Sequence, residues 1–406
     1  MDGGDGSQRL LLTISGEQQA YVGSDDGNLY AYDALGTGPT CSGSPKTCSP
    51  LWTANPAGGL ALQVPGSPAV VHGIVHVGTS SFFNYGNVYA YDAGGTTNCS
   101  GSPKVCEPLW RAPMSSFIDN AAMVWGGVVY YGDGLGMLAA FDADGGPHCS
   151  GTPTICPPLW TAQVGSSIHG SPTYFNGQVL VGADDGNIYA FDANGVTGCS
   201  GTPTVCQPLW TAETGTGSGI YATPAVSTDG TLFVATLNGP AFAFDAYGVT
   251  NCSGSPVACD PLWTAAGTTG SYASPAIYGD RVVFTKRHEV LVYDKNGVQD
   301  CTTPPSSIKT CSPLWTTTPV PGATWFGDQY FSSPTVANDV LFIGALDGRL
   351  YAYDAAGSQA CSGTPTVCDP VWSWKISDEA IWSSPTIVNG RVFVGSSDKN
   401  LWSFGF

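Results

Sequence analysis

The sequence predicts an all-β fold, a closed β-propeller of eight four-stranded antiparallel blades, and three observations lead to it. One phrase, of the type Gly-x-Asp-Asp-Gly-Asn-Leu-Tyr-Ala-Tyr-Asp-Ala, recurs eight times at intervals of about fifty residues. A tryptophan follows seven of the eight copies at a matching place. The 406 residues include 54 glycines and 30 prolines, and only 11% are charged, against about a quarter in an ordinary soluble chain. Frequent turn formers and short apolar runs favour strands over helices.

The phrase is clearest over Tyr21-Val22-Gly23-Ser24-Asp25-Asp26-Gly27-Asn28-Leu29-Tyr30-Ala31-Tyr32-Asp33-Ala34 and again over Val181 to Ala193. Its aspartate falls at Asp33, Asp92, Asp142, Asp192, Asp245, Asp294 and Asp354, and the eighth copy, Leu401-Trp402-Ser403-Phe404, lacks it. The tryptophans of the Pro-Leu-Trp or Pro-Val-Trp that follows are Trp52, Trp110, Trp160, Trp210, Trp263, Trp315 and Trp372. A Ser-Pro-Ala-Val-like segment then opens the next unit, at Ser67, Ser171, Thr223, Ser274, Ser333 and Ser384; one unit reads Ala121-Ala122-Met123-Val124 instead. Each unit therefore offers four short runs separated by turn residues, named here A (Ser-Pro-Ala-Val), B (Val-His-Val-Gly), C (Leu-Tyr-Ala-Tyr-Asp) and D (Leu-Trp-Thr-Ala).

A lone four-stranded sheet cannot bury both faces, whereas sheets stacked around an axis bury both and protect their edges. Residues 1–8 are expected to be a disordered N-terminal segment, and 9–406 a single propeller domain. The blades span about 9–54, 67–112, 121–162, 171–212, 223–265, 274–317, 333–374 and 384–406. Leu10 to Ser15 supplies an A strand, so the first blade is complete. The last ends with its C strand at Phe406. It is either three-stranded or was once closed by residues upstream of Met1. Seven blades with a spare hairpin is the alternative.

The 14 cysteines form seven pairs, Cys41/Cys48, Cys99/Cys106, Cys149/Cys156, Cys199/Cys206, Cys252/Cys259, Cys301/Cys311 and Cys361/Cys368, all between C and D. A short loop anchored on adjacent antiparallel strands can bring two sulfurs within bonding distance. Zinc is the rival, but it wants four ligands from one neighbourhood and each pair lies on its own blade. Disulfides are expected, each clipping an outer hairpin, and with them an oxidising compartment, extracellular or periplasmic. Met1-Asp2-Gly3-Gly4-Asp5-Gly6 carries no signal peptide, so the chain reads as a processed or cloned segment.

Acidic residues outnumber basic ones by 31 to 13, a formal charge of −18. That disfavours nucleic acid and anionic membrane surfaces as partners. No apolar run approaches the ~18 residues that span a bilayer. No G-x-S-x-G elbow, H-E-x-x-H or phosphate loop occurs, and His72, His76, His148, His169 and His288 form no visible ligand set. His72 and His76, near an A–B turn, suit surface or structural roles.

Ala31-Tyr32-Asp33-Ala34-Leu35-Gly36 followed by Pro50-Leu51-Trp52 resembles the tryptophan-docking repeat of pyrroloquinoline-quinone (PQQ) enzyme-like propellers. The resemblance covers nearly the whole chain. It departs in the cysteine loop inserted between aspartate and tryptophan and in the threonine, which is mostly absent. It implies that the seven tryptophans wedge between neighbouring blades and that the aspartates fix turns. Independently, seven tryptophans at one repeat position read as core, and aspartates before turns read as Asx formers. Asp25-Asp26-Gly27 and Asp184-Asp185-Gly186 supply too few oxygens for a calcium shell.

The resemblance also brings the quinone-dependent alcohol and sugar dehydrogenases into view, with PQQ and calcium as cofactors. Those enzymes carry a vicinal cysteine pair, a calcium site and a catalytic aspartate. No Cys-Cys dipeptide exists here and no catalytic position maps onto this chain. A non-catalytic binding or scaffold module is the better expectation. The alternatives are the dehydrogenase and a structural module that self-assembles through an exposed strand edge of the last blade.

In a propeller, function sits in loops held by the rigid ring. With A innermost, the D–A and B–C loops share one face and the cysteine loops occupy the other. Three residues before the A-strand proline stand Pro65, His169, Tyr221, Tyr272, Phe331 and Trp382, with Asp119 in the unit lacking that proline. These positions should ring the channel mouth. Trp325, the insertion Phe82-Phe83-Asn84-Tyr85 and the cluster Lys286-Arg287-His288-Glu289 lie nearby. They either plug the channel or form an aromatic-lined mouth for a protein, glycan or small-molecule ligand, with Lys286 or Arg287 meeting an anionic group.

Overall fold

The computed structural model describes residues 9–15, 17–56, 62–81, 85–267, 271–286, 289–302, 308–319 and 332–405, and of residues 9–18 and 62 the backbone alone. Residues 1–8 lie outside the described residues. Successive antiparallel sheets follow one another around a ring as an eight-bladed propeller, and no helix occurs among the described residues.

Blade 4 shows the plan. Its A strand is Thr173–Phe175, B is Gln178–Gly182, C is Asn187–Asp192 and D is Trp210–Glu213, each antiparallel to the next. Asn176 and Gly177 join A to B with φ of 46° and 82°. Two consecutive left-handed residues match the right-handed twist of the strands, which is why Asn-Gly stands there. The acidic B–C turn is satisfied internally: the Asp185 carboxylate accepts the Asn187 N–H at 3.0 Å and the Tyr189 hydroxyl at 2.6 Å.

The repeated aspartate works the C–D turn. Asp192 accepts backbone N–H groups of Asn194, Val196 and Thr197 at 3.1, 3.1 and 2.6 Å. Burial pushes its carboxyl upward, but these donors outweigh burial and hold it below the usual carboxylate range.

Period-two alternation sends successive B-strand side chains to opposite neighbours. Val129 and Tyr131 of blade 3 pack with Trp110 and Ala112 of blade 2, whereas Tyr130 between them packs with Val179 and Val181 of blade 4. Six of the repeated tryptophans, Trp52, Trp110, Trp160, Trp210, Trp263 and Trp315, are buried between blades. The indoles of Trp52, Trp110 and Trp160 donate to the carbonyls of Ala93, Ala143 and Ala193 of the next blade, at 3.1, 3.3 and 3.1 Å. Burying a side chain of this size contributes on the order of 5 kcal/mol as an upper figure.

Trp372 departs from the expected docking. It remains 39% exposed, packed edge-on to Phe404. Blade 8, with strands Thr386–Val388, Arg391–Ser396 and Asn400–Gly405, is three-stranded among the described residues and presents no C–D turn there to cover that indole.

All seven cysteine pairs are disulfide-bonded and none of the fourteen cysteines is free. Their hairpins do more than clip their own blade. Val205–Cys206, from the hairpin of blade 4, pairs in parallel with Thr161–Ala162 in the D strand of blade 3. The same clasp joins blades 1–2, 4–5, 5–6 and 6–7, and a single parallel bridge, Arg111 to Ile155, joins 2–3. Each clasped D strand thereby gains a partner on its outer edge, where an open row of N–H and C=O groups would otherwise invite pairing. The hairpin of blade 1 (Cys41–Ser42 and Thr47–Cys48) stands as its own two-stranded sheet.

The clasp corrects the expectation of outer clips. The second cysteine of six pairs, Cys106, Cys156, Cys206, Cys259, Cys311 and Cys368, is buried in the core between blades rather than held in a surface loop. Each packs in one cluster with the tryptophan of the preceding blade: Cys106 with Trp52, Cys156 with Trp110, Cys206 with Trp160, Cys259 with Trp210, Cys311 with Trp263 and Cys368 with Trp315. The cause is the parallel pairing, which lays the second arm of the hairpin beside the neighbour's D strand and so over its indole. These sulfurs therefore serve as apolar packing as well as a cross-link. Cys48, whose hairpin is unclasped, stays half-buried.

The ring closes where the A strand of blade 1, Arg9–Ser15, meets strands A and B of blade 8. Among the residues whose side chains are described, Ala20, Val22, Ala34 and Phe393 are buried together at this junction.

Candidate functional site

The loops entering the A strands converge on the axis, because A is the innermost strand of every blade. They line a cavity of about 270 Å³ that includes Asp119, His169, Tyr221, Tyr272 and Trp382. The sequence placed these five at the mouth, and the structure brings them together. Trp325, Phe331 and Arg287 lie outside the described residues, as do Phe82, Phe83, Asn84 and His288. Lys286 is described but is not a lining residue. Its ammonium group lies 3.6 Å from Glu289 of the same B–C hairpin, which supplies it with a counter-charge.

His169 organises one side of the mouth. Its ring stacks on Tyr221 with centroids 4.1 Å apart and planes 6° from parallel, and Nδ1 stands 2.7 Å from Oδ2 of Asp119 on the preceding blade. Burial works against the protonated imidazole, but the hydrogen bond and charge of Asp119, with Asp184 behind, outweigh it and raise the His169 pKa above its ordinary value. Tyr272 meets Tyr221 edge to face at 5.6 Å and is 42% exposed, an accessible aromatic surface at the rim. Burial and the charges of Asp184 and Asp119 push the Tyr221 hydroxyl pKa upward, so it stays protonated and able to donate.

Beneath the aromatic rim runs a girdle of hydroxyls. The backbone N–H of Ala121 donates to Oγ of Ser171 at 3.0 Å, and that of Ser171 to Oγ1 of Thr223 at 3.0 Å. The N–H groups of Thr223, Ser274 and Ser333 donate to the hydroxyls of Ser274, Ser333 and Ser384, each at 2.9 Å. A hydroxyl that accepts a backbone N–H keeps its own proton for another acceptor, so the girdle tethers blade to blade and still offers donors to the cavity. The signal was the Ser or Thr before each A-strand proline, which sequence reasoning used only to mark the strand.

Blade 3 interrupts the girdle. Ala121 has no hydroxyl, and the adjacent Asn120 ties the blades instead, donating to the carbonyls of Gly132 and Ile168 at 2.9 and 3.0 Å. Asp119 is the carboxylate among the described lining residues, which include no lysine or arginine. The chemistry on offer is thus aromatic faces, hydroxyl donors and one carboxylate held by an imidazole.

No protein-family model and no curated protein matches the sequence. Solved structures do match in fold. BamB from Moraxella catarrhalis is similar with a TM-score of 0.65 and 16% identity over 99% of this chain and 97% of that one. The C-terminal WD40 domain of Sif2 gives 0.67 and 11%, over 99% and 96%. The computationally designed Ika8 protein gives 0.65 and 14%, over 99% and 98%. At these identities the likeness concerns the fold.

Proposed function

We propose that this chain is a secreted or extracellular, non-catalytic PQQ-like propeller that serves as a binding or scaffold module, its ligand docking at the channel mouth. The observation that carries the reading is the stacked His169–Tyr221 pair standing with Tyr272, Trp382 and Asp119 around one cavity. Aromatic faces beside hydroxyls and a carboxylate suit a ring that bears hydroxyl groups, as on a glycan or a glycosylated partner. Seven disulfides support the oxidising location. The tryptophan-docking repeat and the aspartate turns support the family likeness.

The dehydrogenase reading fares worse. Among the described residues no group of three His, Cys, Asp or Glu side chains is placed to hold a metal ion. Every cysteine is consumed in a blade hairpin. The described residues at the mouth offer neither the vicinal cysteine pair nor the calcium ligands that the resemblance implies for those enzymes.

Glycan-array binding by the intact chain, repeated with Tyr272→Ala and Trp382→Ala, tests the proposal. Loss of the bound glycan in variants that retain the wild-type melting temperature is expected. Unchanged binding by both folded variants would remove the mouth as the site. Dye reduction after loading with PQQ and calcium would overturn the non-catalytic reading.

A further inference from the structure

Three departures from the repeat meet on the face that carries the cysteine loops, away from the mouth. The A–B and C–D turns share that face, and in blade 3 the Ala143 N–H donates to the Gly127 carbonyl at 2.9 Å, joining the two turns. Trp125 ends the A strand of blade 3, where other units have Val71, Phe175, Tyr278, Ala337 and Val388. Asp144 stands in the C–D turn of the same blade, where blades 4 and 6 have Asn194 and Asn296. His72 stands in the A–B turn of blade 2 at φ 51°, where the counterparts at positive φ are Gly126, Asn176, Gly279, Asn338 and Asn389. That backbone strains a histidine and is free to a glycine.

The three side chains are held in place. Trp125 stacks on Tyr174 of blade 4, with ring centroids 4.0 Å apart and planes 14° from parallel. Tyr174 is itself fixed, its hydroxyl accepting the Gly177 N–H at 3.0 Å. It takes one face of the indole, yet Trp125 stays 51% exposed, so the opposite face is open to solvent. On the other side of the same turn, Nδ1 of His72 donates to both oxygens of Asp144 at 3.1 and 3.2 Å, and both side chains remain more than half exposed. Gly126 and Gly127 lie between. A Cβ on Gly126 would meet nothing within 4 Å, and one on Gly127 only His72 Cε1, at 3.6 Å. Trp125 and Gly127 are two residues apart, about 7 Å at most, so indole and carboxylate flank one floor free of side chains.

We propose that this ledge binds a neutral glycan, a sugar ring lying on the open face of Trp125 with its hydroxyls on Asp144. An aromatic face already fixed in place loses little entropy when it covers the apolar face of a sugar ring. A carboxylate only accepts hydrogen bonds, so its partner must bring donors, and adjacent sugar hydroxyls can reach both oxygens. A proline-rich segment also stacks on aromatic rings, but its prolines have no N–H to give. The charge of Asp144, in a chain of net −18, turns away anionic glycans. Ledge and mouth lie on opposite faces, so binding here does not depend on Tyr272 or Trp382.

The test is an array of neutral glycans, probed with the intact chain and with Trp125→Val and Asp144→Asn. Val71 and Asn194 already hold those places in sister blades, so both variants should keep the wild-type melting temperature. A neutral glycan bound equally by the wild type and by Tyr272→Ala, and weakened about tenfold or more by each ledge variant, is expected. Binding that either folded ledge variant leaves unchanged overturns the site, and loss with Tyr272→Ala alone returns the glycan to the mouth. Binding of no neutral glycan overturns it as well, including the case in which a polyproline peptide binds instead and is lost with Trp125→Val.

Discussion

The indole of Trp160 packs against Gly195 of the following blade, close enough that a Cβ on that glycine would sit 2.3 Å from Cδ1. Gly195 also has φ of +67°, and its turn places the Ala193 carbonyl where the indole N–H donates to it. One residue thus satisfies a backbone and a packing demand together. We expect Gly195→Ala to cost about 3 kcal/mol or more, since the overpacking adds to the left-handed strain. Gly36, at φ +64° with its nearest neighbours at 3.8 Å, carries the strain alone, and Gly36→Ala should cost about 1–2 kcal/mol. Urea unfolding of the two variants side by side checks the difference.

His76 is wholly buried, with Nε2 2.9 Å from the Ala143 carbonyl. Burial lowers its pKa from 6.5 to about 4, against the smaller opposing effect of that hydrogen bond. The folded value lies below the unfolded one, so the unfolded chain binds the extra proton between them. Stability is therefore intact above pH 6.5 and falls as pH drops towards 4, by on the order of 3 kcal/mol. Tyr21 and Tyr130 occupy the same B-strand place and donate to the carbonyls of Ala93 and Ala193. His76→Tyr should accordingly keep neutral-pH stability and flatten the acid limb of a melting-temperature profile.

The His169–Asp119 pair titrates in the opposite sense. With the His169 pKa raised, its contribution is complete below the unfolded value of 6.5 and is lost as pH rises through the folded one. Asp119→Asn leaves burial as the larger remaining influence, so the His169 pKa should drop. Ring-proton NMR titration of both proteins measures the change. An unmoved His169 would dissociate the pair from the mouth's electrostatics.

Two disulfides of equal loop length should differ in worth. Opening a loop of this size relaxes the unfolded chain by about 2–3 kcal/mol. With Cys199 and Cys206 both replaced by serine, the hairpin stays pinned to Thr161–Ala162, so most of that loss should appear in the melting temperature. The serine at 206 also places a hydroxyl in the core beside Trp160, which adds to the cost. The Cys41/Cys48 hairpin has no such partner among the described residues, so its native form relaxes too and the double serine variant should lose less.

The repeat carried the architecture in full view. Strand order, blade number and turn chemistry followed from the spacing of Asp33 to Asp354 and of the tryptophans, because each unit solves the same burial problem with the same residues. The mouth was legible where the repeat departs from itself, at Asp119, His169, Tyr221, Tyr272 and Trp382. Trp372 and Lys286 were not, for a shared reason. The fate of each depends on a neighbour, a turn in the next blade or Glu289 across a hairpin, and a residue's place in the repeat says nothing of that neighbour. The clasp was missed because it joins residues about forty to fifty positions apart in parallel, which no local pattern encodes. The burial of Cys106, Cys156, Cys206, Cys259, Cys311 and Cys368 was missed with it, since the pairing of sulfurs is local but the indole that covers them belongs to another unit.

The clasp puts sequence and sheet out of phase. Val205–Cys206 is encoded with blade 4 yet completes the sheet of blade 3. A single repeat excised at its sequence boundaries would carry away its predecessor's closure and leave its own behind, so an isolated unit has two raw ends and little reason to persist alone. Gain or loss of a whole repeat, by contrast, restores every joint, because the giving and receiving halves travel in fixed order. A ring of this kind can change its circumference by duplication without inventing a new contact.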